Sequence, residues 1–219
     1  MIIHIAGSGG SGKTTIGNKL KKIYEGKIVV IDTDDIKTNL IKKKYKSISN
    51  IHKALETEEW IEMYLEKIMK LIKRYNDKIL ILTGSLHVKT KNRKTQITNM
   101  VDYKFGIDEE FDKSYKKYVK RKFLDINSKL TKKIIDKAIK QNPDEVFTYL
   151  NYIEGIESSP MPYSFYIKLN TLIRRQNTKY GYRYHSSNLL MKKIKKLIDT
   201  FQTIKYQGRL RVLRPLNVN

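Results

Sequence analysis

Four glycines precede a lysine and two threonines near the start of the chain, in the stretch HIAGSGGSGKTTIG from His4 to Gly17. The spacing fits G-x-x-x-x-G-K-[ST], in which glycines let the backbone curl and turn successive N–H groups toward a phosphate. The helix that follows the loop adds the positive end of its dipole to the same phosphate site. The lysine supplies a charge to the β- and γ-phosphates, and the first threonine offers a hydroxyl to Mg²⁺. The stretch therefore predicts a nucleotide phosphate site. Its predicted members are Gly7, Ser8, Gly9, Gly10, Ser11, Gly12, Lys13, Thr14 and Thr15.

A second group of chemically useful residues follows the apolar run at 28–31 and consists of Asp32, Asp34 and Asp35. Asp32 and Asp34 alternate along an extended chain, so they face different directions at the carboxyl edge of a sheet, where ligands bind in open α/β folds. One carboxylate can attend Mg²⁺ through water. The other can accept the proton of an acceptor hydroxyl during phosphoryl transfer. The alternative is helix capping by Asp34 or Asp35.

Strands that alternate with helices must position these residues. Apolar runs predict strands at 2–6, 27–31, 78–82, 101–107 and 181–185. Helical periodicity covers 13–24, 34–44, 50–73, 90–99, 108–140 with a break near 127–128, 163–179 and 188–200. This alternation indicates a parallel sheet covered on both faces. We predict an α/β P-loop NTPase three-layer sandwich with a mostly parallel five-stranded sheet, forming one domain over 1–219. Residues 125–178 lack a strand pattern and are expected to form a helical lid or substrate cover.

The composition limits the classes of function. The chain has 219 residues, 40% of them hydrophobic, and no cysteine, which excludes disulfides and thiolate metal sites. No apolar run approaches a membrane span, so we expect a cytoplasmic protein without a membrane partner. The net charge of +23 is compatible with a nucleic-acid partner, which the Arg174-Arg175 pair and the many tyrosines would also suit. Coding bias toward lysine is the open alternative, since it would place lysines on every solvated face.

The stretches GSGGSGKT and DTDDIKTNL together resemble the small P-loop kinases related to shikimate kinase, gluconate kinase and adenylate kinase. In shikimate kinases the first Asp of a D-x-D attends Mg²⁺ and the second contacts the substrate hydroxyls. The resemblance therefore implies a metal role for Asp32 and a catalytic, acceptor-facing role for Asp34. A turn after the third strand, in ILILTGSLH, is similar to the glycine-rich turn of these kinases and implies that Gly84 and Ser85 lie at the substrate edge.

The same resemblance implies a lid arginine in the helix after the fourth strand. The stretch FGIDEEFDKSYKKYVKRKF fits this pattern, with Arg121 as the lid residue and Lys117 one turn earlier. The likeness covers about residues 1–125. One departure argues against shikimate as the substrate: HKALETEEWIEMYLEKI, at 52–68, lacks the arginine that would hold the shikimate carboxylate. The absence of N-K-x-D argues against a GTPase.

Three functions follow from these residues. The first is a kinase that uses ATP and Mg²⁺ to phosphorylate the hydroxyl or phosphate of a small molecule or nucleotide, with Lys13, Asp34 and Arg121 as catalytic residues. Arg174 is a further candidate contact for substrate phosphate. The second is a nucleic-acid-directed enzyme with the same core, such as a polynucleotide 5′-kinase-like protein or an RNA-stimulated ATPase. The third is a P-loop protein that has lost catalysis.

Overall fold

A parallel sheet forms the middle layer of the protein. The computed structural model describes residues 1–44, 58–84, 97–124, 130–155 and 161–206. In these residues five parallel strands pair in the order β2-β3-β1-β4-β5. The strands are β1 (Ile2–Ala6), β2 (Ile28–Asp32), β3 (Ile79–Thr83), β4 (Tyr103–Ile107) and β5 (Arg183–His185). Thr83 pairs with Ile5 on one side and with Asp32 on the other. The sheet therefore brings the ends of β1, β2 and β3 together at its carboxyl edge.

Helices cover both faces of this sheet. They are α1 (Lys13–Ile23), α2 (Thr33–Lys44), α3 (Glu58–Arg74), α4 (Phe111–Leu124), α5 (Lys132–Gln141), α6 (Val146–Glu154), α7 (Tyr163–Lys179) and α8 (Ser187–Tyr206), and a 3-10 turn spans Ile97–Met100. Side chains of β1 alternate between the two faces: Ile3 packs in a cluster with α1 and α8, whereas Ile2 packs in a second cluster with α2 and α3. The predicted three-layer α/β fold is confirmed.

A third hydrophobic cluster joins helices α4 to α7. It includes Tyr115 and Phe123 of α4, Ile135 of α5, Phe147 of α6 and Tyr166 of α7, all fully or nearly fully buried. Because α4 contributes to this cluster and also follows β4 directly, the cluster is anchored beside the sheet. The assignment of 125–178 as an inserted lid or substrate cover stays a prediction.

Several predicted boundaries differ from the structure. The helical stretch expected at 108–140, with a break near 127–128, is two helices that begin at Phe111, end at Leu124 and resume at Lys132. Strand β4 begins two residues later than predicted because the Asp102 side chain accepts a hydrogen bond from the Ile2 N–H at 2.7 Å. Helix α8 begins at Ser187, one residue earlier than predicted, and extends to Tyr206. The predicted helix at 90–99 lies mostly outside the described residues, as do the start of the 50–73 helix and the chain after 206. None of the helices in the described ranges is long and apolar enough to cross a membrane.

Candidate active site

The glycine-rich loop lies between β1 and α1, at the carboxyl edge of the sheet. Gly10 and Gly12 have φ angles of 80° and 94°, values that side chains other than glycine rarely adopt. Gly10 is further restricted by its neighbours, since a Cβ atom there would lie 2.1 Å from the Ser114 carbonyl oxygen. The loop is thus curled, as the sequence predicts, and it packs closely against the first turns of α4.

Lys13 begins α1 and turns back over the loop. Its Nζ donates hydrogen bonds of 2.9 Å to the carbonyl oxygens of Gly7 and Ser8. Burial of the ammonium lowers the pKa of Lys13, and the nearby carboxylates of Asp34 and Asp32 offset part of that effect. A desolvated cation is stabilised by an anion that enters its site. Lys13 is therefore placed to gain from a bound phosphate.

Thr14, on α1, links the loop to the end of β2. Its Oγ1 donates a 2.7 Å hydrogen bond to Oδ2 of Asp32. The other oxygen of Asp32, Oδ1, accepts the backbone N–H of Asp34 at 3.0 Å. Asp32 therefore satisfies an amide in the first turn of α2 and holds the capping position that the alternative interpretation gave to Asp34 or Asp35. Strand β2 runs straight into the helix and leaves the acid at its own last position to serve as the cap.

The hydroxyl of Thr14 and the carboxylate of Asp32 fit a magnesium site. Both are hard oxygen donors, they lie 2.7 Å apart, and they stand beside the glycine-rich loop. Mg²⁺ is usually held by one or two protein oxygens together with water and substrate phosphates. In the described part of the chain no group of three or more His, Asp or Glu side chains could hold a metal without such help.

Asp34 points its carboxylate toward the open edge of the sheet. Its side chain is 57% exposed, and Oδ1 lies 3.5 Å from the Nζ of Lys37, one turn later on α2. Gly84 approaches from the end of β3: with φ at 108°, a Cβ on Gly84 would lie 3.1 Å from Asp34 Cγ and from Asp32 Oδ1. Gly84 is thus brought against the two aspartates, and Ser85 lies outside the described residues.

Lys37 is a site residue that the sequence reading missed. Its side chain is only 19% exposed, and its Nζ lies 5.3 Å from the ring centre of Tyr64 on α3. Burial lowers the pKa of Lys37, while Asp34 and Asp32 raise it in part. The available signal was its position three residues after Asp34 on a predicted helix, which puts both on one face.

A cavity of about 480 Å³ adjoins the loop and the start of α1. Its other walls come from α4, which contributes Lys117 and Arg121, and from the beginning of α8, which contributes Asn188 and Met191. Arg121 is close enough to Lys13 to lower its pKa further. Lys117 pairs with Glu109 at 2.9 Å. The structure therefore brings Arg121 to the same cavity as the loop.

Arg174 lies on the other side of the loop, on α7. Its guanidinium pairs with Asp108 at 2.8 Å and stands over the ring of Tyr184 at 4.6 Å. With Gly7 and Ser8 it lines a second, much smaller cavity. Arg174 is near the loop, but it has two partners there and is not in the larger cavity that holds Arg121.

Comparisons with known proteins agree with this fold. A family model described as zeta toxin, a family with a P-loop kinase-like fold, matches residues 1–96. No curated protein matches the chain. The resemblance to the P-loop kinase group is confirmed by that match together with the sheet topology and the loop.

The solved structures that are similar to this chain include the following three. An uncharacterized protein from Eubacterium ventriosum shares 11% identity over 91% of this chain and 98% of its own, with a TM-score of 0.43. A structure from the PezAT chromosomal toxin–antitoxin system of Streptococcus pneumoniae shares 18% identity over 82% of this chain and 85% of its own, with a TM-score of 0.38. A chain of the Pnkp1/Rnl/Hen1 RNA repair complex shares 17% identity over 75% of this chain and 48% of its own, with a TM-score of 0.40.

Proposed function

We propose that this protein is an ATP-dependent phosphotransferase that moves the γ-phosphoryl group of ATP to a hydroxyl or phosphate of a small molecule or nucleotide. One observation carries the proposal: the glycine-rich loop, Thr14, Asp32 and Asp34 form a connected series from the phosphate site to an exposed carboxylate. A protein that only binds nucleotide has no need for that last carboxylate, whereas a kinase needs a base beside its acceptor.

The residues divide the reaction between them. The N–H groups of the loop and the ammonium of Lys13 bind the phosphates, and Arg121 neutralises charge on the γ-phosphoryl group during transfer. Asp34 accepts the proton of the acceptor hydroxyl as its oxygen bonds to the γ-phosphorus. The bond from that phosphorus to the β,γ-bridging oxygen breaks, and ADP leaves with the electron pair. Thr14 and Asp32 would hold Mg²⁺, which supplies further positive charge to the phosphate oxygens when bound.

The acceptor is proposed to bind at the edge formed by α2, α3 and the turn after β3. Lys37 and Gly84 lie beside Asp34 there, and the ring of Tyr64 packs against Lys37. Lys37 holds the carboxylate from one side and Gly84 restricts it from the other, so the base has a defined position before an acceptor arrives. Such fixed geometry is a main source of rate enhancement in phosphoryl transfer.

A nucleic-acid acceptor is the second candidate. Helix α8 begins at the wall of the large cavity and carries Lys192, Lys193, Lys195 and Lys196 further along. A basic helix that leads away from a phosphate site could follow a polynucleotide backbone. A requirement for oligonucleotide, with activity falling steeply as salt rises, would favour this candidate over a small acceptor.

The two aspartates offer the direct test. We expect Asp32→Asn to raise the Mg²⁺ concentration needed for half-maximal rate, and Asp34→Asn to lower kcat with little change in nucleotide affinity. Transfer of radiolabelled γ-phosphate is measured with sugars, nucleosides, nucleoside monophosphates and 5′-hydroxyl oligonucleotides as acceptors. Asp77→Asn, an exposed acid before β3, is the matched control and should behave as wild type.

Three outcomes distinguish the functions. Transfer to any acceptor that is lost in Asp34→Asn supports the kinase. ATP binding without transfer to any acceptor class, and with no effect of Asp34→Asn, would refute the proposed reaction and favour a noncatalytic P-loop protein. Hydrolysis of ATP only in the presence of RNA would favour the nucleic-acid-stimulated enzyme.

A further inference from the structure

A tyrosine of the third hydrophobic cluster reaches the glycine-rich loop. The hydroxyl of Tyr166, on α7, donates a 2.5 Å hydrogen bond to the carbonyl oxygen of Gly9 and lies 2.9 Å from Oγ of Ser114 on α4. Tyr166 is only 2% exposed. The contact joins residues 157 positions apart in the sequence, and no motif predicts it.

The outer side of the loop is packed against the same helices. A Cβ atom on Gly9 would lie 3.0 Å from the ring of Tyr118, and one on Gly10 would lie 2.8 Å from the backbone nitrogen of Tyr118. The ring of Tyr118 in turn lies 5.9 Å from that of Tyr166, centre to centre. The loop therefore packs against α4 and α7, and the hydroxyl of Tyr166 makes a polar contact with the loop.

The position of the hydrogen bond matters because of peptide geometry. The carbonyl of Gly9 and the N–H of Gly10 belong to one planar trans peptide and point in opposite directions. A hydrogen bond that holds the carbonyl toward α7 therefore turns the Gly10 N–H away from α7. Gly10 lines the large cavity, and glycine on both sides of this peptide leaves it free to rotate when nothing holds it.

The hydroxyl of Tyr166 is suited to this task at neutral pH. Burial raises the pKa of Tyr166, so the hydroxyl keeps its proton and acts as a donor. The rings of Phe111 and Tyr115 stand against the Tyr166 ring, with centres 6.4 and 5.0 Å away, and fix its direction. A held donor loses little side-chain entropy when it bonds to the loop.

We propose that Tyr166 is a positioning residue for phosphate binding: it fixes the Gly9–Gly10 peptide so that the Gly10 N–H faces the phosphates. The proposal rests on the proposed function, since it takes the loop to bind a nucleotide. It also gives the segment after α4 a role in nucleotide affinity that does not require the segment to move. Tyr166 acts through the loop and does not touch the reacting atoms.

The test compares two tyrosine-to-phenylalanine variants in the full chain. Tyr166→Phe removes the bond to the loop. Tyr115→Phe is the matched control, because its hydroxyl donates to the carbonyl oxygens of Pro143 and Met161 at 3.0 and 2.7 Å, within the same cluster and away from the loop. Both variants keep their rings and both remove hydrogen bonds to partly buried carbonyl groups, so similar losses of thermal stability are expected.

Two readouts separate a positioning role from a structural one. Calorimetric titration with a non-hydrolysable ATP analogue and Mg²⁺ should show binding about 2- to 13-fold weaker in Tyr166→Phe, the factor expected for one lost hydrogen bond, and unchanged binding in Tyr115→Phe. Hydrogen exchange without nucleotide should be faster at the amides of 9–12 in Tyr166→Phe alone. The KM for the acceptor should not change.

Equal nucleotide affinity and equal loop exchange in the two variants would overturn the proposal. Should Tyr166→Phe fail to fold, Tyr166→Met removes the same hydroxyl and fills the space with a flexible apolar side chain, and its loop exchange must rise above that of Tyr115→Met. A wild-type protein that binds no nucleotide would refute the proposed function. The exchange measurement would then still decide whether Tyr166 holds the loop.

Discussion

Gly84 offers a quantitative test of how the turn after β3 holds the two aspartates. Its φ is 108°, and a Cβ atom at this position would lie 2.4 Å from Thr33 Oγ1 and 3.1 Å from Asp34 Cγ. For Gly84→Ala the backbone conformation alone costs roughly 1–2 kcal/mol. Overpacking against the neighbouring residues adds about 1–3 kcal/mol. The free energy of unfolding should therefore fall by about 2–5 kcal/mol.

Gly26→Ala is the control for this change. Gly26 also has a positive φ, 73°, but a Cβ there has nothing within 4 Å. Its cost should be the backbone part alone, about 1 kcal/mol. In a chain of this size 1 kcal/mol corresponds to about 2–4 °C in Tm, so calorimetry can resolve the two variants.

Activity adds a second, independent measurement. A shift of Asp34 by about 1 Å should lower kcat on the order of 10²-fold in Gly84→Ala, whereas Gly26→Ala should keep the wild-type kcat. Both rates are measured well below each variant's own Tm. A Gly84→Ala protein as stable as Gly26→Ala and fully active would show that the turn after β3 does not hold the aspartates.

Three further predictions follow from the charges and hydrogen bonds. Lys13→Met should lower phosphotransfer by at least about 10²-fold without lowering Tm, because it removes a desolvated cation; wild-type turnover at saturating ATP would contradict this. Lys37→Met should lower kcat about tenfold, because the carboxylate of Asp34 is then less firmly held. Lys37→Arg should recover part of the lost kcat. Lys70→Met removes a lysine from an exposed ion pair and should leave kcat unchanged. Tyr24→Phe should cost about 2 kcal/mol, since the Tyr24 hydroxyl donates to a carboxylate. Burial and that carboxylate raise the pKa of Tyr24 to about 12, above its unfolded value of about 10. Urea unfolding should therefore show the full difference in unfolding free energy between wild type and Tyr24→Phe below pH 10, and this difference should vanish toward pH 12.

The sequence predicts the parts of this site that depend on local rules. A glycine-rich stretch after an apolar run, and acids at the end of the next strand, have fixed consequences for backbone shape and for position at a sheet edge. The strands, the loop at 7–12 and the place of Asp32 follow from such rules. The position of Gly84 at this edge was implied by the resemblance to the small P-loop kinases, and the structure brings it against the two aspartates.

Contacts between segments that are distant in the chain could not be predicted from the sequence. Tyr166 meets Gly9 only after α4 to α7 have packed, and no spacing between residues so far apart encodes that distance. The capping residue was open for a different reason: several polar side chains between 32 and 35 could each cap α2, and the choice depended on how far β2 extends. Helix periodicity predicts that Lys37 lies on the same face of α2 as Asp34, but it does not predict that α3 buries Lys37.

The charges around the loop explain why the site should bind a polyphosphate without first requiring the predicted lid at 125–178 to close. Lys13, Lys37 and Arg121 lie close enough for each of the other two to lower the pKa of Lys13. Asp32 and Asp34 oppose them, but Asp34 is well exposed and Asp32 already accepts two hydrogen bonds. Positive charge at partly desolvated positions is costly in the free protein and favourable once a phosphate enters. The packing of the loop against α4 and α7 keeps Lys13 beside Arg121, so we expect affinity for the phosphates to depend on helices that contribute no loop residue.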